Sequence, residues 1–279
     1  MLSSTASKTP AKRLFVFDFD WTLIETDSDN WVFENLCEEL YQEQLEAVGK
    51  VQWTDLQQRL LGELFDRGIS REDIERALSH IPFAPEMIEA LKLMKAQGSE
   101  LYILSDANTV YIETVLKTYN IDHLFTEIIT NPAKFDRTGR LNVVRFHGLD
   151  KEPHCCPLPC QPNLCKGSEI QKLINSQSWD QVVYMGDSTN DFCPSTRLQS
   201  KDVVLARGGL LLEKEIKENP QLVKANVVYW DNARDVLQAT QAIFGAPSLS
   251  TSASHIKLAE VLSAMESSDS KIYAQAVKA

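Results

Sequence analysis

With 279 residues and a formal net charge of −11, the chain is long enough for one sizeable core plus an accessory domain. It is too acidic to offer a general nucleic-acid surface, and an anionic ligand would need a local cation to hold it. Its 43% apolar and 24% charged residues are those of an ordinary globular protein, and no apolar run approaches a membrane span.

Residues 1–13 are rich in Ser, Thr and Lys but lack an apolar signal core, which points to a cytoplasmic enzyme. The run Leu14-Phe15-Val16-Phe17 reads as a buried strand, and Asp18-Phe19-Asp20-Trp21-Thr22 follows it directly. Two carboxylates just past such a strand sit where open α/β sheets carry their chemistry. Asp18 is placed to attack, and Asp20 to move a proton. The stretch from Asp20 to Leu101 is too long for a strand-to-helix loop. Within it, 30–48, 53–67 and 71–79 have helical apolar spacing, and Pro82 and Pro85 mark the return to the core.

Further strands are expected over 101–104, 127–130, 182–185 and 203–206, with 227–230 as a sixth. Helical patterns over 85–97, 109–119 and 166–176 separate them. Ser105 and Asp106 follow the second strand, and Gly186-Asp187-Ser188-Thr189-Asn190-Asp191 follows the 182–185 run. The fold class is therefore α/β, a three-layer Rossmann-like parallel sheet with an inserted small helical cap. The expected division is a core over 13–27 and 83–245, a cap over 28–82, and a tail over 246–279. The tail begins with a Ser/Thr/Ala-rich linker and has room for a short helix over 256–265.

The ordered set Asp18/Asp20, Ser105, Lys166, Asp187/Asp191, each after an expected strand or at a helix start, resembles the haloacid dehalogenase superfamily. That resemblance implies a phosphatase in which Asp18 is the nucleophile and Asp20 the proton donor. Asp18, Asp187, Asp191 and the Asp20 carbonyl would hold Mg²⁺, a hard ion suited to oxygen ligands. Ser105 would bond a phosphoryl oxygen, Lys166 would neutralise charge on it, and Thr22 would orient Asp20. A cap over a strand-end site can exclude water and select substrates.

Asp29 and Asp106 add two more carboxylates. If they face the pocket, a substrate carrying its own cation would relieve the excess negative charge; otherwise they cap the helices that begin beside them. A closer resemblance selects the first reading. Asp18-Phe19-Asp20-x-Thr22, Ser28-Asp29, Ser105-Asp106-Ala107-Asn108, Cys160-x-x-Asn163-x-Cys165-Lys166-Gly167 and Gly186-Asp187-x-x-Asn190-Asp191-Phe192-Cys193-Pro194 are similar to the phosphoethanolamine/phosphocholine phosphatase family. It implies that Asp29, Asp106, Asn108 and Ser105 bind a small phosphorylated amine, with no nucleic-acid or membrane partner. Members of the same family act on pyridoxal 5′-phosphate or inorganic pyrophosphate, and the shared motifs do not separate these substrates. Trp21 and Trp31 could offer an aromatic face to choline. A silent metal-binding module of the same fold is disfavoured, because every catalytic position carries the expected residue type.

Four of the six cysteines crowd into 155–165. A disulfide-stapled secreted domain would spread them, so reduced thiols or a metal clip fit better. His154, Cys156, Cys160 and Cys165 could hold Zn²⁺ or act as redox-sensitive thiols. The spacing Cys156-x-x-x-Cys160, one residue longer than Cys-x-x-Cys, favours instead a proline-rich reduced loop that places Lys166.

Overall fold

The computed structural model describes residues 11–151, 154, 156–158 and 160–244. The tail with its expected 256–265 helix, and Cys155, lie outside the described residues. In chain order, β1 (Arg13–Phe17) is followed by four helices: α1 (Ser28–Leu36), α2 (Glu38–Ala47), α3 (Trp53–Asp66) and α4 (Arg71–Ser79). Next come α5 (Pro85–Ala96), β2 (Glu100–Asn108), α6 (Thr109–Thr118), β3 (Glu127–Asn131) and the short strands β4 (Ala133–Phe135) and β5 (Leu141–Val143). The chain continues with α7 (Lys166–Ser176), β6 (Gln181–Gly186), α8 (Phe192–Ser195), β7 (Val203–Arg207), α9 (Leu211–Glu218), β8 (Asn226–Trp230) and α10 (Ala233–Phe244).

Six strands form one parallel sheet in the order β3-β2-β1-β6-β7-β8. Side chains alternate across a strand, so each apolar run supplies two faces. Phe15 and Phe17 join Leu101, Ile103, Val183, Met185 and Leu205 on one face, under α5, α6 and α10. Leu14 and Val16 join Leu104, Val182, Tyr184, Val204 and Ala206 on the other, under α7 and α9. This accounts for the three layers and for strands that read as continuous apolar runs. No helix among the described residues is long and apolar enough to cross a membrane.

The inserted helices differ from expectation at one place. The pattern over 30–48 is two helices, broken at Cys37, whose φ of −161° and ψ of 95° are extended. The break lets α1 bury Val32 and Phe33 while α2 buries Leu40 and Gln44. A chain of buried amides then ties the helices together. Gln44 Nε2 donates to Asn30 Oδ1 at 2.6 Å, and Gln57 Nε2 donates to Gln44 Oε1 at 3.0 Å.

The β4–β5 hairpin was not anticipated, because three-residue strands are too short to show an alternating pattern. Asp136 Oδ1 accepts from Thr138 N and Arg140 N across its turn, and Gly139 takes the left-handed φ of 91° that the turn requires. The hairpin braces α3: Val143 N donates to Gln58 Oε1 at 2.6 Å.

Candidate active site

β1 lies at the centre of the sheet with Phe17 paired to Met185 of β6, so Asp18 and Asp187 emerge side by side at the carboxyl ends of adjacent strands. After β1 the backbone folds into a tight turn in which Phe19 O accepts from Thr22 N, Leu23 N and Ile24 N. Trp21 takes a left-handed φ of 53° there, held by Arg207, whose Nη1 donates to Trp21 O at 2.5 Å. The turn directs Asp20 back toward α1, where its carboxylate accepts from Ser28 N at 2.8 Å.

Lys166, 1% exposed at the start of α7, bridges two carboxylates: its Nζ is 2.8 Å from Asp18 Oδ2 and 2.8 Å from Asp191 Oδ1. Burial works against the lysine charge, yet Asp18 and Asp191 hold its pKa above the usual lysine value. Asp191 is saturated. Oδ1 also accepts from Tyr184 Oη at 2.5 Å, and Oδ2 accepts from Asp187 N at 3.0 Å and Ser188 N at 2.9 Å. With four donors on its two oxygens, Asp191 is built to position Lys166 and the Asp187 loop. Gly186 permits this: a Cβ there would meet Asp191 Cγ at 2.5 Å. Ser105 is fully buried within β2, three residues before its end, its Oγ accepting from Ala107 N at 3.3 Å.

Above this floor opens a cleft of about 230 Å³ lined by Asp18, Asp20, Asp27, Asp29, Asp106 and Asp187, flanked by Trp21 and Trp53. Asp29, 4% exposed, accepts from Trp53 Nε1 at 2.7 Å. Asp106 accepts from Asn190 Nδ2 at 3.1 Å. Neither caps a helix. Asp27 caps α1 through Asn30 N, and Asn108 caps α6 through Tyr111 N at 3.1 Å.

The structure therefore corrects several expectations. Asn108 is a buried cap and not part of the cleft lining, because its carbonyl oxygen is turned toward the helix it starts. Thr22 donates to Asp187 Oδ1 at 3.2 Å, so it orients Asp187 and not Asp20. Trp31 donates to Ala77 O and packs among the inserted helices, while Trp53 takes the place at the cleft. A buried amide relay, silent in the sequence, sets the wall. Asn163 Nδ2 donates to Thr54 Oγ1 at 2.9 Å and Asn131 Oδ1 at 2.7 Å, and Asn131 Nδ2 donates to the carbonyls of Asp106 and Ala107. It ties the residue beside Trp53 to the backbone of Asp106.

His154 does not join the cysteines. Its Nε2 lies 2.8 Å from Gln161 O and its Nδ1 accepts from Cys156 N at 3.3 Å. Cys193 joins Cys156, Cys160 and Cys165 instead.

Asp18, Asp187 and Asp191 each bring a carboxylate oxygen within 4.8 Å of the others. Hard oxygen donors in negative excess suit a hard divalent cation such as Mg²⁺. The charge state says the same. Burial, above all, pushes the Asp18 carboxyl up to about 7, that of Asp187 to about 9 and that of Asp27 to about 6. It also pushes Asp20 and Asp29 well above the carboxylate range, helped by their acidic neighbours. A carboxyl whose pKa is higher folded than unfolded stabilises the fold at low pH and loses that contribution as pH rises through the folded value. In Mg²⁺-free buffer the melting temperature is therefore expected to fall between pH 6 and pH 9. Added Mg²⁺ should raise it more at pH 8.5 than at pH 6. A flat profile in a thermal-shift titration would contradict this charge balance.

Comparisons with known proteins bear on the chain as a whole. A family model described as Putative Phosphatase matches residues 13–244. Inorganic pyrophosphatase 2 of Arabidopsis thaliana is 39% identical over 228 residues, 80% of each chain. A thiamine phosphate phosphatase-like protein of Arabidopsis thaliana is 39% identical over 229 residues, 81% of this chain and 92% of that one. Pyridoxal phosphate phosphatase PHOSPHO2 of Bos taurus is 32% identical over 241 residues, 82% of this chain and 98% of that one. Among solved structures, an apo phosphoserine phosphatase superposes with a TM-score of 0.56 at 16% identity, covering 81% of this chain and 98% of that one. That last likeness is one of fold.

Proposed function

From the premise that this chain belongs to the Putative Phosphatase family of the haloacid dehalogenase superfamily, and so is a phosphoric monoester hydrolase, we propose that it is Mg²⁺-dependent and acts on small phosphomonoesters whose alcohol carries a cation, phosphoethanolamine and phosphocholine foremost. The observation that supports this reading is the charge of the cleft. Six aspartates line it, and the lysine nearest the nucleophile lies buried beneath, already shared between Asp18 and Asp191. With Mg²⁺ offsetting part of this charge, a positive group at the other end of the substrate makes the cleft more favourable to its phosphate.

Asp18 attacks phosphorus, the bond from phosphorus to the alcohol oxygen breaks, and an aspartyl-phosphate forms on Asp18. Asp20, whose carboxyl is pushed up by burial and by its acidic neighbours, gives its proton to the leaving oxygen. It then takes a proton from the water that attacks the aspartyl-phosphate, releasing phosphate. Lys166 offsets charge on Asp18 and the transferred group, and Ser105 is assigned a phosphoryl oxygen. Asp18, Asp187 and the Asp20 carbonyl would hold Mg²⁺, with Asp191, whose oxygens already take four donors, steering its shell; when bound the ion supplies positive charge to the phosphoryl oxygens. Asp29 and Asp106, which line the same cleft as Trp21 and Trp53, meet the ammonium group, whose positive charge favours the ionised form of Asp29. A cytoplasmic setting suits the free thiols of Cys37, Cys156, Cys160, Cys165 and Cys193.

Two relatives support a second reading, in which the same machinery acts on pyrophosphate or pyridoxal 5′-phosphate. Phosphate release with Mg²⁺ from phosphoethanolamine, phosphocholine, thiamine monophosphate, pyridoxal 5′-phosphate, pyrophosphate and ethyl phosphate separates the two. Asp29→Asn and Asp106→Asn should lower kcat/KM for the cationic substrates by about 10–100-fold, about 1.4–2.8 kcal/mol. Ethyl phosphate turnover should stay nearly unchanged. Equal losses on both classes, or a wild-type preference for pyrophosphate, would overturn the substrate assignment and leave the Asp18 chemistry standing.

A further inference from the structure

The sulfurs of Cys156, Cys160, Cys165 and Cys193 come together although none takes part in the chemistry above. Cys156 and Cys193 are 3.6 Å apart, Cys160 and Cys156 3.6 Å, Cys165 and Cys160 3.7 Å, and Cys165 and Cys193 3.9 Å. All four lie within 4.8 Å of one another, and all four are free. A zinc ion bound to four thiolates at about 2.3 Å places its sulfurs at the corners of a tetrahedron with edges of about 3.8 Å. Four of the six edges, at 3.6–3.9 Å, bracket that value, and the other two are no longer than 4.8 Å. We propose that these four cysteines form a structural zinc site.

Several features fit this assignment. A tetrahedral set of four thiolates is the ligand set of zinc or iron, and is unsuited to hard ions such as Mg²⁺. Four protein ligands close the coordination shell, which is the form of structural and not catalytic sites. Four thiolates around a divalent ion leave two negative charges, and a cation stands beside them: Arg197 Nη2 is 3.8 Å from both Cys156 Sγ and Cys193 Sγ. Gly167 is required by the same cluster, because a Cβ there would meet Cys193 Sγ at 2.2 Å.

The position gives the ion its purpose. Cys165 directly precedes Lys166, and Cys193 follows Asp191 by two residues. Between β5 and α7 the described residues form no helix or strand, so no ladder of backbone hydrogen bonds fixes the approach to Lys166. A zinc ion would clamp that loop to α8 and so hold Lys166 Nζ against Asp191, 2.8 Å apart. The site is separate from the aspartate cluster and does not depend on the choice of substrate.

The test is the metal content of the untagged full-length protein, expressed with zinc in the medium and desalted into Mg²⁺-free buffer. About one zinc per chain is expected, retained in Asp187→Asn and lost in Cys156→Ser and Cys160→Ser. Protein refolded with Co²⁺ should show thiolate-to-cobalt charge-transfer absorption, and removal of zinc by a chelator should lower the melting temperature. If the serine variants do not fold, the wild-type metal content and the cobalt spectrum decide. A wild-type protein without zinc whose native thiols react with a thiol reagent would overturn the proposal. So would iron in place of zinc, zinc that survives both serine substitutions, or zinc that leaves with Asp187→Asn.

Discussion

Asp18→Asn is expected to lower phosphate release by about 10⁴-fold or more with the circular dichroism spectrum unchanged. The substitution is close to isosteric. An amide oxygen can still accept from Phe19 N, now 2.6 Å from Asp18 Oδ1, or face Lys166 Nζ, now 2.8 Å from Oδ2. What is lost is the second anionic oxygen, and with it the means of forming the aspartyl-phosphate. Removal of one buried negative charge from a crowded acidic site also argues against large destabilisation. Turnover within tenfold of wild type, or a trapped phosphoryl group on any other residue, would remove Asp18 from its role.

Lys166→Met should have the second largest effect, and it acts in two ways. The lysine is buried between Asp18 and Asp191, and deleting one partner of such a set costs about 3–5 kcal/mol of stability. Urea unfolding should show that loss at neutral pH, shrinking as the pH is lowered and the stranded carboxylates take up protons. The second effect is on chemistry. Burial raises the Asp18 carboxyl while Lys166 pulls it down, so without the lysine the nucleophile ionises at higher pH. The acidic limb of the kcat/KM profile should move toward alkaline pH, and kcat should fall by about 10²–10³-fold at pH 7. A wild-type profile with wild-type kcat would show that the lysine is only a packing element.

The sheet was readable because its strands are buried on both faces and carry unbroken apolar runs. The clustering of Asp18 with Asp187 was readable because each follows such a run. Asp18, Asp187, Lys166 and Asp191 thus came together as their order along the chain implied. What was not readable depends on contacts between distant segments. Cys193 gives no local sign that it will meet Cys165 from the far side of β6, and Trp53 none that its indole will reach Asp29. The Asn131–Asn163 relay is of the same kind: two polar residues whose partners exist only after the loops are docked. The residues that do cap α1 and α6 were hidden for a related reason. Asp27 and Asn108 compete with neighbours of equal capping ability, and backbone direction decides between them.

The central place of β1 also governs how the protein is made. Its first synthesised strand needs both neighbours, Glu100–Ile103 on one side and Gln181–Met185 on the other, before both edges are covered. Parallel pairings so distant in sequence form slowly, since a long loop must close before any bond rewards it. During translation the nucleophile's strand therefore waits, half-paired at best, until more than half of the chain has left the ribosome, and an unpaired apolar edge is prone to aggregation. The order of the strands makes the candidate active site one of the last features of the molecule to exist.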